Sequence, residues 1–162
     1  MSDGNGQVIT ACPYAESAHD YAALGFKVVP VHSGRRNPIG DGWQNAATDD
    51  LEVIEKIANR HPQANIGVRL GPASDVSDFE EDGDEAKEVW NVLFSGVDVI
   101  TPTYQARRGK HRLFRYSDKL NFGKNIIHLG LNAEGRLIAD PNGPLELRIG
   151  SNPKKGFNRF FL

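Results

Sequence analysis

A single cysteine, Cys12, stands in the 162-residue chain, which excludes an internal disulfide framework and any thiolate-cluster zinc site. So little thiol suits a reducing compartment, and the expected location is cytoplasmic. Long apolar runs are missing too: no stretch approaches the roughly 18 residues that a membrane-spanning helix needs, so no membrane role is expected. The opening Met1-Ser2-Asp3-Gly4-Asn5-Gly6 has neither the basic nor the apolar region of a secretory leader. Charge of one sign is also lacking. Nineteen Lys and Arg against 21 Asp and Glu give −2, so no global basic field advertises nucleic acid. There is no Walker-type glycine loop, no HExxH, no nucleophile elbow and no Cys–His pair, leaving P-loop ATPases, zinc peptidases and the familiar nucleophile enzymes without support. Internal repeats and low-complexity linkers are absent.

What is present is a loop-rich globular composition, 39% hydrophobic and 25% charged, with 17 Gly and 9 Pro. The length fits one domain, or two small lobes sharing a core. Charge is sorted along the chain. Asp75, Asp78, Glu80, Glu81, Asp82, Asp84, Glu85 and Glu88 face a single Lys87 within 75–88, a local balance of −7. Arg107, Arg108, Lys110, Arg112 and Arg115 lie within 105–116 with no acid, a balance of +5. Such sorting suits a site with cations on one side and phosphates on the other, or two solvated surface segments.

Apolar spacing predicts a helix over 15–24 with Ala15, Ala18, His19, Ala22 and Ala23 on its stripe, ended by Gly25. A strand follows over 26–31, where Pro30 marks an edge or strand end. Beyond a loop over 32–47, Thr48 is a candidate cap for a helix burying Leu51, Ile54 and Ile57. Strands are expected over 65–70 and 76–82, then a helix over 84–93 with Ala86, Val89, Trp90 and Leu93 inward. The second half reads as strands over 97–100, 111–116, 136–139 and 145–149. A βαβ-like start followed by a meander indicates an α+β fold with a mixed or antiparallel sheet and flanking helices.

Within 76–82, alternation puts Glu80 and Asp82 on one face and Glu81 on the other, with Cβ atoms of the pair about 6–7 Å apart. Two like charges there suit a shared Mg²⁺ or Mn²⁺, while acids before a helix also favour its N-terminus without any metal. A calcium-loop reading of Asp78, Glu80, Asp82 and Gly83 fails, because Val89 stands where the twelfth ligand is needed and Gly71-Pro72 blocks an entering helix. Leu145-Glu146-Leu147-Arg148-Ile149 alternates cleanly, leaving Glu146 and Arg148 opposite the aliphatics. Arg107-Arg108-Gly109-Lys110-His111-Arg112 mixes phosphate-binding donors with a glycine that permits close backbone approach to an anion; a basic surface hairpin is the alternative.

These blocks, in this order, resemble the bifunctional DNA primase/polymerase N-terminal (Prim-Pol) domain of the archaeo-eukaryotic primase superfamily. The resemblance rests on Tyr21-Ala22-Ala23-Leu24-Gly25-Phe26-Lys27-Val28-Val29-Pro30-Val31, Arg36-Asn37-Pro38 with Gly42-Trp43, Ala47-Thr48-Asp49-Asp50, Asn65-Ile66-Gly67-Val68, and Gly71-Pro72-Ala73-Ser74 before the acidic strand. It implies a primase-like (RRM-like) catalytic core over 15–150, with an N-terminal tail over 1–14. A C-terminal tail over 151–162, truncated relative to longer relatives, carries Phe157, Phe160 and Phe161 as core residues lacking partners or as an aggregation liability. It also implies metal ligands at Glu80, Asp82 and Glu146, with His111 on the incoming phosphates as a fourth catalytic residue. Arg36, Arg108, Lys110, His111 and Arg148 become the nucleotide or template contacts, with Gly109 where the family often has serine. The implied activity is template-directed, two-metal nucleotidyl transfer from an NTP or dNTP to a 3′-hydroxyl on a DNA primer. Mg²⁺ or Mn²⁺ is the cofactor and a replicative helicase domain or protein the partner. The alternatives are a catalytically impaired nucleotide- or DNA-binding module of the same fold and a metal-dependent nuclease.

Overall fold

The computed structural model describes residues 13–35, 37–105, 109–120, 124–150 and 159–161. The fold is α+β, and the chain divides into two compact units. One holds the first 69 residues and Phe160–Leu162, the other Leu70–Arg159. Among the described residues no helix is long and apolar enough to cross a membrane.

In the first unit, helix α1 (Pro13–Ala23) packs on β2 (Asn65–Arg69) and α3 (Leu51–Arg60). Its buried stripe is Tyr14, Ala18 and Ala22: Ala18 and Ala22 are buried as expected, Ala15, His19 and Ala23 of the expected stripe are exposed, and Tyr14 joins instead. Tyr14 anchors that stripe because its large ring is wholly buried, and burial raises its phenol above the usual tyrosine range. Gly25, at φ 86°, ends the helix, its N–H donating to Ala22 O. Strand β1 (Val28–Val31) pairs antiparallel with β2, so the βαβ-like order makes no parallel crossover. Pro30 is tolerated because β1 is an edge strand of the three-stranded sheet β1-β2-β9. Strand β9 (Arg159–Phe161) lies in the expected C-terminal tail; its backbone joins that sheet instead of trailing free.

Between β1 and β2 come a single helical turn, α2 (Trp43–Ala46), and then α3. Asp50 caps α3, its carboxylate accepting from Glu52 N and Val53 N at 2.9 and 3.2 Å. Thr48 does not cap; its main chain bridges to Val28 and its hydroxyl accepts from Asp50 N, two residues before the helix. Of the expected stripe only Ile54 is fully buried, and Leu51 is 54% exposed.

The second unit is a six-stranded antiparallel sheet of order β4-β5-β3-β8-β6-β7 backed by α4 (Asp84–Leu93). Its strands are β3 (Val76–Asp82), β4 (Thr103–Gln105), β5 (Gly109–Arg115), β6 (Ile126–Leu131), β7 (Leu137–Ala139) and β8 (Leu145–Arg148). Helix α4 opens with Asp84 and Glu85, acids that favour the positive end of the helix dipole, and buries Ala86, Val89 and Trp90. They meet Phe79, Leu145 and Leu147 from the sheet. Phe79 meets Trp90 and Phe114 edge-to-face, with centroids 5.6 and 5.3 Å away. Such pairs add about 0.5–1.5 kcal/mol each beyond area burial.

Two expectations fail in this half. Residues 97–100 form no strand: Val97 and Ile100 are 63% and 93% exposed, and β4 begins only at Thr103. Strand β6 was not expected, although Ile127, Leu129 and Leu131 alternate with His128 and Gly130 at a strand's period. It pairs with β8 and so borders the carboxylate strands.

Candidate active site

Strand β3 is paired on both sides, and directly opposed residues of antiparallel strands share a face of the sheet. Glu80 stands opposite His111 on β5 and opposite Glu146 on β8. His111 in turn faces Tyr104 on β4, and Glu146 faces His128 on β6. Five strands thereby supply one cross-sheet row: Tyr104, His111, Glu80, Glu146, His128. Two residues back along β3, Asp78 opposes Arg148; two residues on, Asp82 opposes Gly109. The opposite face carries Phe79 and the α4 core together with Glu81, Lys110 and Arg112, so alternation separates the row from the apolar packing.

Ionic contacts tie the row together. His111 Nδ1 lies 2.8 Å from Oδ2 of the fully buried Asp78, so Nδ1 carries the proton and donates to the carboxylate. The other ring nitrogen, Nε2, is 3.8 Å from Glu80 Oε1. Tyr104 stacks on the imidazole, with centroids 4.6 Å apart and planes 7° from parallel. Held on two sides, the imidazole has one orientation. Arg148 Nη2 contacts Glu80 Oε2 and also reaches Glu146 Oε2 at 3.0 Å, with Nε at 3.2 Å. One guanidinium therefore neutralises two carboxylates that would otherwise repel across the strand pair.

Glu80, Glu146, His111 and Arg148 are thus brought together. Asp82 shares their sheet face at the end of β3. Lys110 is not in the row: alternation on β5 turns it to the face opposite His111, across from Glu81. Arg36 and Arg108 lie outside the described residues, as do Arg107, Cys12 and Phe157. Asp78, Tyr104 and His128 are added by the fold. Asp78 was legible in principle, two residues before Glu80 and so on the same face; Tyr104 and His128 depend on pairings between distant strands.

Gly109 has a physical reason in the sheet. A Cβ there would sit 2.0 Å from Glu81 O and 2.5 Å from Asp82 Oδ1, so serine has no room. The close approach that this glycine permits is to β3 itself rather than to an anion.

The donor chemistry fits a hard divalent cation. Glu80, Glu146 and Asp82 offer carboxylate oxygens on one face, and Asp78 Oδ1 is buried with no hydrogen-bond partner among the described residues. In the present arrangement no group of three or more His, Asp and Glu side chains among the described residues is placed to hold a metal. Arg148 supplies the positive charge between the acids instead.

A sequence profile of the family described as bifunctional DNA primase/polymerase, N-terminal, matches residues 18–152. The chain belongs to this family. Among curated proteins no sequence matches it. Prim-Pol membership makes it a nucleotidyltransferase-type protein whose substrates are DNA and nucleotides, in a family that uses divalent metals. Glu80, Asp82, Glu146, His111 and Arg148 all fall inside the matched span.

Proposed function

We propose that the chain is a template-directed DNA primase/polymerase domain that transfers a nucleotidyl group from an NTP or dNTP to a 3′-hydroxyl. The observation that carries this reading is the cross-strand row in which Glu80 lies between His111 and Glu146. In the reaction the 3′-oxygen bonds to the α-phosphorus, the bond to the bridging oxygen breaks, and pyrophosphate leaves. Glu80, Glu146 and Asp82 would hold Mg²⁺ or Mn²⁺, which when bound supplies charge neutralisation for the attacking and leaving oxygens.

The remaining work falls to this chain's own side chains. Asp78 holds His111 by Nδ1–H, which turns Nε2 toward a triphosphate seated on the carboxylates. With Nδ1 held by Asp78, His111 presents Nε2 as its contact to a phosphate oxygen. Arg148, released from Glu80 and Glu146 when another cation pairs with them, is free to grip the triphosphate by two parallel N–H donors. Arg36 and Arg108 are assigned to phosphate or template contacts through the family resemblance, and Lys110 to the same role from the opposite face of β5. A cytoplasmic setting and a replicative helicase partner complete the reading.

Primer synthesis and extension with Mg²⁺ or Mn²⁺ test it, comparing wild type with the Glu80→Ala/Asp82→Ala double variant. Incorporation by wild type and loss in the variant support it; a folded wild type that incorporates nothing under any condition overturns it. One observation favours a second reading. The closed Arg148 bridge fits a catalytically impaired module that binds triphosphate without incorporating it. DNA degradation without added triphosphates would instead identify a nuclease.

A further inference from the structure

The first unit has a cationic groove that the catalytic row does not use. Strand register creates it: Val31, the last residue of β1, opposes Asn65, the first of β2. The chain leaving β1 at His32 and the chain entering β2 through Ala64 therefore emerge at the same sheet end. The first loop is tied down by His32 N–H donating to Asn37 O, Arg35 N–H to His32 O and Ile39 N–H to Pro30 O. The second is a tight turn closed by Ala64 N–H to His61 O after the end of α3. Between them lies a groove of about 510 Å³ whose lining includes Arg35, Arg60, His32, His61, Ile39 and Pro62.

Among the described residues no acidic side chain lines the groove, and neither arginine makes an ion pair or side-chain hydrogen bond. Both are exposed. This differs from arginines elsewhere: Arg112, Arg115, Arg136 and Arg148 each pair with a carboxylate. Arginines gathered on two anchored loops, with no ion pair among the described residues, give the groove a positive potential. Ile39 and Pro62 line the same groove, which suits a ligand that alternates anionic and apolar parts.

We propose that this groove binds the sugar-phosphate backbone of a single nucleic-acid strand, with Arg35 and Arg60 on phosphates and Ile39 and Pro62 beneath the sugars and bases. The proposal uses the DNA substrate of the family but none of the catalytic row. The site therefore holds a strand whether or not nucleotides are incorporated. Free phosphate or triphosphate shares the anionic chemistry, and the experiment separates the two sources.

The test uses the full chain without added metal and follows binding of a fluorescein-labelled oligothymidylate by anisotropy across a salt series. Each phosphate contact on a single strand contributes about 0.7 to the slope of log affinity against log salt. The Arg35→Gln/Arg60→Gln double variant is expected to lose about 1.4 of that slope and to bind several-fold more weakly at low salt. Arg35→Lys/Arg60→Lys should keep the slope. Circular dichroism and the thermal midpoint should match wild type for both, since these side chains support no other group. An unchanged slope in the glutamine variant overturns the proposal. So does weaker binding of inorganic triphosphate with oligonucleotide binding intact, which would identify a free anion as the occupant. Failure of primer extension with the slope effect present would sink the catalytic reading and leave this one standing.

Discussion

Replacing Arg148 by methionine keeps most of the side chain's length and removes the charge that joins Glu80 to Glu146. Those two acids are directly opposed on antiparallel strands, a geometry that sets Cβ atoms about 4.5–5.5 Å apart. At ~5 Å and an effective dielectric of ~20, two unit charges repel by about 3 kcal/mol. Glu80 is 9% exposed at its side chain but Glu146 is 29% exposed, so water relieves part of this. The expected loss of stability is then about 1–3 kcal/mol. In wild type an incoming divalent ion must break both contacts to Arg148 before it can pair with the acids; in Arg148→Met it meets two uncompensated carboxylates. The variant should therefore unfold at lower urea than wild type without metal, and regain most of the difference in Mn²⁺. It should also bind Mn²⁺ at least tenfold more tightly, since about 1.4 kcal/mol corresponds to a factor of ten. Urea unfolding with and without Mn²⁺, and a titration following free Mn²⁺ by electron paramagnetic resonance, read both effects. If Arg148→Met unfolds with wild type and binds Mn²⁺ no more tightly, the guanidinium is not holding the cation's place.

Arg112 lies on the other face of the sheet, with its guanidinium 3.9 Å from the Trp90 ring centroid and 2.6 Å from Glu81. Arg112→Ala strands the nearly buried Glu81 carboxylate and should cost about 3–5 kcal/mol in denaturant unfolding, with Arg112→Ala/Glu81→Gln recovering part of it. Gly109→Ala forces a methyl into the Glu81 carbonyl and should lower the thermal midpoint by several degrees while separating β5 from β3, visible as faster amide exchange at Lys110 and His111. Tyr14→Phe removes a buried hydroxyl without a hydrogen-bond partner among the described residues, so stability should stay within about 1 kcal/mol of wild type or rise. The Lys27 ammonium, 2.5 Å from Asp49, holds that carboxyl below its ordinary value. Its contribution is present above the unfolded carboxyl pKa and fades as pH falls through the lower folded one. The small stability gap between wild type and Asp49→Asn should accordingly close in acid, on a series of unfolding curves from pH 6 to pH 2.

Local chemistry made much of the second unit readable. Helix α4 coincides with its expected range because first-turn acids and an Ala86/Val89/Trp90 stripe are both signals internal to ten residues. On β3 and β8 the period of two separates Glu80 from Glu81 and Glu146 from Leu147 before any partner is known. Where the signal was weaker, tertiary packing decided. Thr48 and Asp50 are both good caps; Thr48 is taken up by its bridge to Val28, and Asp50 accepts from the first helical amides. Residues 97–100 have strand-like side chains but no strand to pair with.

Composition, alternation and the order of short blocks were enough to determine an α+β chain of the Prim-Pol family with an acidic strand and a basic one, because each of those features is encoded within a few neighbouring residues. The tertiary structure alone decided that Glu146 stands beside Glu80, that Asp78 steadies His111, and that Arg148 bridges the acids. Period fixes which face a side chain takes, whereas its neighbour across the sheet depends on register between strands that lie tens of residues apart in the chain.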